Sequence, residues 1–278
     1  MRRLHHCVLG CSLLAFVACT DNVTPPSNQA AAPAPACVPD LDGAIAASEF
    51  PNLAATHTTV LSSMAGANPT VDLKGGVDSA GRQAWSFASE ALGTTPLEVV
   101  ALPIASRWYG GDFPAAEFAF SSTDGAFDSV YSQDESGLWL HGIASTLESP
   151  PIGQTLIVYA APVLIYKFPL VRGDAWTAIG EVPAGTFNGF AFSGRDVYEV
   201  ADDATGYLEL ADLTFTQAHR VRLTITNEPM LAPATTRRQV SFLFECFGEV
   251  TRVTSKLNET AEDFTTADEV RRFTVSGP

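Results

Sequence analysis

Three carboxylates near residue 45 have the spacing of a cation site. Asp40 and Asp42 flank Leu41 and precede Gly43 in the segment Asp40-Leu41-Asp42-Gly43-Ala44-Ile45, and Glu49 follows four residues after Ile45. Oxygens at alternate positions of a sharp turn converge on one point, glycine permits the turn, and a later glutamate binds through both oxygens. That is the chemistry of a hard cation such as calcium. The same residues also read as an Asp-Gly turn followed by a short helix over 44–50, stopped by Pro51. His57, His141 and His219 have no metal-ligand spacing. The common serine-hydrolase signatures and the glycine-rich phosphate loops are missing from the sequence. Carboxylates are plentiful, but no pair stands out for glycoside chemistry. Residues 108–113 (WYGGDF) place aromatic rings beside glycines, a pattern that stacks on a ligand or closes one end of a β core.

The carboxylate loop resembles the calcium loop of EF-hand proteins. On that template Asp40, Asp42 and Glu49 are ligands, while Val38 stands at the first ligand position and offers no side-chain oxygen. The resemblance implies calcium held by three carboxylates and no other cofactor.

The N-terminus carries an address. Arg2 and Arg3 precede an apolar run from Cys7 to Cys19. Such a run is too short for a helix to cross a hydrocarbon core, which needs ~20 residues. It reads as a signal peptide over residues 1–18. Phe16-Val17-Ala18-Cys19 resembles the lipobox of bacterial lipoproteins. The resemblance implies cleavage before Cys19 and two or three acyl chains of the palmitate type on that residue, enough for stable anchoring. Thr20, where an aspartate would signal inner-membrane retention, implies the outer membrane. Cys7 and Cys11 leave with the signal, so Cys37 and Cys246 remain. In an exported chain such a pair is expected to form one disulfide; two separate buried thiols are the alternative.

Sixteen Lys and Arg stand against 31 Asp and Glu, a formal charge of −15, which becomes −17 once Arg2 and Arg3 leave. Phosphate recognition relies on clustered basic residues, so nucleic acid is excluded as a partner. Residues 19–36 are rich in Pro, Ala and polar side chains and form a tether. Residues 37–278 are long enough for a single domain with one sizeable core.

That domain reads as mainly β: an antiparallel curved sheet, half-barrel or sandwich with one or two short helices. Strands are expected at 97–102, in a hairpin over 127–132 and 137–141, and as two short pieces within 155–170 broken by Pro162 and Pro169. A second hairpin is expected at 196–201 and 207–210, around the acidic turn 202–206. Residues 220–226 alternate, with Val221, Leu223 and Ile225 on one face. Residues 239–247 are apolar on both faces and read as a central strand, with a bulge near Gly248. Thr266-Ala267-Asp268-Glu269 matches a capping box, so a helix to Arg272 is expected before a last strand at 273–275.

Residues 162–170 (PVLIYKFPL) with Gly173-Asp174-Ala175-Trp176, then 244–248 and 265–273, resemble segments of uncharacterised bacterial lipoproteins. That family lends no activity and no catalytic residues. The β-rich plan is also similar to the half-barrels of periplasmic lipoprotein carriers, a likeness of fold alone. The expectation is a non-enzymatic domain anchored to the cell envelope through lipid, with a structural, interaction or ligand-holding role. Its partner would be an apolar ligand or an envelope protein. Two alternatives stand beside it. A carrier of lipid or another apolar ligand requires an open concave face; a hydrolase with a non-standard site requires a histidine or paired carboxylates in a cleft.

Overall fold

The computed structural model describes residues 37–63 and 66–275. The expected signal peptide over 1–18, Cys19 and the expected tether over 19–36 lie outside the described residues. The strands are β1 Ala44–Ile45, β2 His57–Ser63, β3 Gly76–Val77, β4 Gln83–Ser86, β5 Thr94–Val100, β6 Leu102–Pro103, β7 Phe118–Ser121, β8 Phe127–Asp134 and β9 Gly137–Ser145. They continue with β10 Leu156–Lys167, β11 Leu170–Val171, β12 Ala175–Phe187, β13 Phe190–Glu209, β14 Thr214–Pro229, β15 Thr235–Phe244, β16 Gly248–Ser255 and β17 Ala267–Phe273. Helical structure among the described residues is confined to 3-10 turns of three residues, such as Ala47–Glu49 and Leu53–Ala55.

The main sheet runs β5-β2-β17-β16-β15-β14-β13-β12-β10-β9-β8-β7-β6, with antiparallel neighbours throughout. Its two end strands are consecutive in the chain. Ala101 alone separates β5 from β6, and its N–H donates to the Thr56 carbonyl. One extended stretch therefore pairs with β2 through its first half and with β7 through its second. A flat sheet cannot do this, so the sheet curls into a nearly closed barrel.

Three apolar clusters set the layers. Inside the barrel, Phe118, Leu140, Val163, Val182, Tyr198 and Leu223 belong to one cluster that spans seven strands. Outside, Trp85, Phe87 and Leu92 cover Phe215, Val240, Phe242 and Val253 of β14 to β16. A second outer cover sets Tyr109 and Phe113 on Val130 and Ala144 of β8 and β9. This explains why residues 239–247 read as apolar on both faces: Leu243 packs inside while Val240, Phe242 and Phe244 pack under the cover.

One end of the barrel is plugged. Ile45 and Phe50 pack with Phe168, Leu170 and Leu243. β1 pairs with β11, and Cys37 is bonded to Cys246. Cys246 also donates its N–H to the Glu49 carbonyl, so the plug is stitched to the end of β15 by two kinds of bond.

Several expectations are corrected. The helix expected over 266–272 is absent: Ala267–Phe273 form strand β17. Pairing with β16 on one side and β2 on the other satisfies its backbone, and Ala267 and Val270 enter the outer core. Tertiary closure outweighs the local capping signal. Residues 44–50 form β1 and a 3-10 turn because the segment must pair with β11. The hairpin expected at 196–210 is part of the single strand β13. Its acidic stretch is absorbed by two register shifts, between Asp202 and Ala204 and between Gly206 and Leu208. Asp203 is claimed by Arg220 and Arg222, and Gly206 lies so close to β4 that a Cβ would stand 2.3 Å from the Gln83 carbonyl oxygen. Residues 156–167 are likewise one strand, β10. Pro162 sits in the shift between Val158 and Val163, where no ladder donor is needed. The hairpin of β8 and β9 and the alternation along β14 fall where expected.

Candidate functional site

Contacts across the barrel identify the inward-facing polar side chains. Tyr166 of β10 donates its hydroxyl to Glu249 Oε2 of β16 at 3.1 Å, although four strands lie between them in the sheet. Ser241 Oγ donates to the same oxygen at 2.8 Å. Thr123, in the loop after β7, bonds to both Glu269 and Arg271 of β17.

Strand irregularity builds this wall. Glu249 and Arg252 are three residues apart and in a regular strand would face opposite ways. The pairing shift from Phe242↔Thr251 to Leu243↔Glu249 leaves Val250 as an extra residue, and this bulge turns both charged side chains inward. On β17 normal alternation suffices for Glu269 and Arg271. The register then sets Arg252 directly opposite Arg271.

Each arginine is held from the side. Arg252 Nε lies 2.8 and 3.0 Å from the two oxygens of Glu249, and Arg271 Nε lies 2.9 Å from Glu269 Oε1. Ser62 Oγ adds a bond to Glu269. Among the described residues neither Nη group of Arg252 has a hydrogen-bond partner. These side chains are not sealed: Arg252 and Glu249 keep 29% and 21% of their accessibility, Arg271 and Glu269 18% and 17%. All four charged side chains therefore keep part of their surface open to solvent. Phe120, Tyr131, Phe192 and Ile225 are also only partly buried and pack on the inner cluster. This part of the wall thus sets apolar and aromatic side chains beside a partly exposed charged patch. Burial pushes the Arg252 guanidinium down, but Glu249 more than offsets this and holds it above its ordinary value. Burial pushes the Tyr131 phenol up, with Arg252 opposing.

A second inner network is closed. Tyr159 donates to Asp196 Oδ2 at 2.5 Å and meets the Tyr198 hydroxyl at 2.7 Å, while Asn227 donates to Asp196 Oδ1 at 2.7 Å. Gly180 makes room for it: a Cβ there would come within 2.7 Å of the Tyr159 ring.

The end away from the plug is fringed with apolar side chains. β15 runs from this end to Cys246 at the other. Phe187 and Phe190 stand on the β12–β13 tip, Met230 and Leu231 on the β14–β15 tip, and Ile152 on the loop before β10. Phe190 is 77% and Leu231 95% exposed. The tips are tied together, Met230 N–H to the Ser193 carbonyl and Gly189 N–H to the Gln154 carbonyl. Residues 183–194 and 229–236 contain no charged side chain.

The loop proposed for calcium is arranged differently. Asp40 and Asp42 gather with Glu245, their oxygens all within 4.8 Å of one another. Glu49 is turned away and accepts from its own turn, at Ala46 N–H, 2.8 Å. Backbone N–H groups of Leu41, Asp42 and Ala44 already bond to Glu245, Asp40 and Asp42. Residues 108–113 close an outer core: Tyr109 and Phe113 are buried, and the Tyr109 hydroxyl and Arg107 both bond to buried Asp128. A shallow cleft on the outer wall, lined by Ser48, Asn52, Glu117, Gln133 and Glu135, holds neither a buried charge nor a histidine.

The sequence did not single out a pair formed by His219 and Asp202, with Nδ1 and Oδ2 2.6 Å apart. The two side chains are 1% and 0% exposed, and His219 Nε2 has no partner among the described residues. Among the described residues no nucleophile is bonded to this imidazole, and both side chains are sealed from solvent, which is not the setting of a base in an open active site.

The paired carboxyls of both faces make stability depend on acid. Burial pushes Glu269 up, but Arg271, the Thr123 hydroxyl and Arg252 together hold it below its ordinary value. Burial likewise raises Asp203, and Arg220 and Arg222 outweigh it. A carboxyl depressed in the fold contributes stability above its unfolded pKa and loses it as pH falls through the folded pKa. Asp202, raised by burial, has the opposite sign. With Asp78, Asp124, Asp134 and Asp174 also held below their ordinary values by hydrogen bonds or a paired cation, six depressed carboxyls against one raised predict an unfolding midpoint that is flat from ~pH 7 to ~pH 5 and falls below ~pH 4. Urea titrations followed by tryptophan fluorescence check this, and Glu269→Gln is expected to remove part of the fall. Equal stability at low and neutral pH would contradict the assignment.

Comparison with models of known protein families, with curated proteins and with solved structures finds no match.

Proposed function

We propose that the chain is a lipid-anchored protein of the cell envelope, held at the outer membrane through Cys19, and that its barrel holds an amphiphilic ligand without transforming it. The observation that carries this reading is the inner wall. Aromatic and apolar side chains there are only partly buried, and a small charged patch that is also partly exposed lies among them. Pockets for small molecules combine such a lining with a few convergent polar groups. The plug and disulfide close one end, so entry is by the apolar-fringed mouth. The sealed state of the His219–Asp202 pair weighs toward holding rather than hydrolysis.

The test is equilibrium binding of N-phenyl-1-naphthylamine, a neutral dye that brightens in apolar surroundings. Saturable binding is expected at micromolar concentration, with one dye per chain. Ile225→Trp, which fills the lumen from the inner wall of β14, is expected to weaken it about tenfold, roughly 1.4 kcal/mol. No saturable binding, or binding untouched by Ile225→Trp and therefore seated on the exposed tips, would overturn the reading.

A further inference from the structure

We infer that Arg252 and Arg271 form a binding site for the anionic head of that amphiphile, a carboxylate or phosphate group at the end of an apolar chain. This rests on the ligand-holding reading and adds the chemical class of the ligand.

Like charges directly opposite each other on neighbouring strands destabilise a sheet. The register nevertheless places the two arginines in that relation, on the inner face where both remain accessible. Their glutamates do not explain the arrangement, because one glutamate would serve one arginine anywhere on the wall. Glu249 and Glu269 instead act as positioning groups. Each binds its arginine at Nε and is itself fixed by hydroxyls, Glu249 by Ser241 and Tyr166, Glu269 by Ser62 and Thr123. Side-on binding at Nε leaves the terminal nitrogens of Arg252 directed elsewhere with no protein acceptor among the described residues.

A guanidinium whose terminal N–H groups are free, beside a second guanidinium, matches the oxygens of a carboxylate or phosphate in geometry as well as charge. Arg271 gives one Nη group to Thr123, which orients it toward the same wall. Tyr131 and Phe120, partly buried on the opposite side of the lumen, provide an apolar surface for the chain that carries the head. The acidity of the outer surface does not exclude such a ligand, because surface charges are screened beyond about 8 Å at physiological ionic strength.

The experiment measures displacement of the bound dye by four competitors: dodecanoate, dodecyl phosphate, dodecanol and inorganic phosphate. The two anionic amphiphiles are expected to displace it at concentrations at least about tenfold lower than dodecanol, the gain of charge-assisted hydrogen bonds. Inorganic phosphate, also followed by its shift of the thermal midpoint, is expected to do little. Arg252→Gln and Arg271→Gln are expected to bring the anionic amphiphiles to within about twofold of dodecanol while dodecanol itself is unchanged, and Arg252→Lys to recover part of the preference. Dye binding by the same variants shows that the barrel is intact. Equal displacement by dodecanoate and dodecanol in the unaltered protein would overturn the head-group site while leaving the ligand-holding reading in place. A large thermal shift with inorganic phosphate, not exceeded by dodecyl phosphate, would overturn the amphiphile as its ligand. Failure of the dye to bind at all would remove the reading beneath it.

Discussion

Replacing Cys37 and Cys246 together by serine is expected to lower the thermal midpoint by roughly 10–20 °C. The bridge links residues 209 positions apart. In the chain-entropy model a loop of that size restrains the unfolded chain by about 5 kcal/mol, the upper end for a single disulfide. For a domain of this size each kcal/mol moves the midpoint by about 2–4 °C. The native state adds a local component. The plug otherwise depends on a two-residue ladder between β1 and β11, the packing of Ile45 and Phe50, and the bonds from Leu41 to Glu245 and from Cys246 to Glu49. Calorimetry of the double variant measures the shift. Hydrogen exchange at Ala46 and Phe50 shows whether the plug opens before the barrel. An unchanged midpoint would mean that the packing alone holds the plug and that the unfolded chain is compact without the bridge.

Phe242→Ala is expected to cost about 3–5 kcal/mol, the range for a fully buried aromatic side chain. Phe242 has no accessible surface and makes edge contacts with Trp85, centroids 5.0 Å apart, and with Phe87, 5.4 Å apart. It is the floor on which the outer cover rests. The cover is also attached by the parallel pairing of β4 with the end of β13, by Arg220 to the Leu73 carbonyl and Arg272 to the Phe87 carbonyl, and by backbone bonds from Val71 to Thr265, Ala267 to Pro69 and Phe87 to Glu209. Arg272 is itself buried, and burial holds its guanidinium below the ordinary value, so loosening the cover would release it to water. Urea unfolding gives the stability loss. Limited proteolysis is expected to find new cleavage within residues 66–93 while the barrel strands stay protected. A loss below about 1 kcal/mol would show that the cover collapses onto the gap without penalty.

The sequence showed best the features that depend on near neighbours. The alternation of Val221, Leu223 and Ile225 reports one buried face, and the run at 239–247 reports two. The turn between β8 and β9 and the pairing of Cys37 with Cys246 were legible for the same reason: few alternatives compete with them. Barrel closure through Ala101 was not legible, because curvature is a sum of twists and registers that no single segment encodes. The capping box at Thr266 was a valid local signal overruled by two flanking strands. The charged patch was hidden by the bulge at Val250, since alternation counted along residues 249–252 puts Glu249 and Arg252 on opposite faces. Glu245 could not be joined to Asp40 and Asp42 from spacing, because about two hundred residues separate them.

The place of β17 in the sheet sets a timetable for the growing chain. It lies between β16 and β2, with Arg271 paired to Ser62. A ribosome releases β2 first and must add the intervening strands before β17 exists. At roughly 5–20 residues per second, that wait is on the order of 10–40 s. Until then β2 has a bare edge, and every strand already made belongs to an open, unclosed sheet able to pair with its neighbours in the cell. The domain is therefore best kept unfolded until its C-terminal strands have been made.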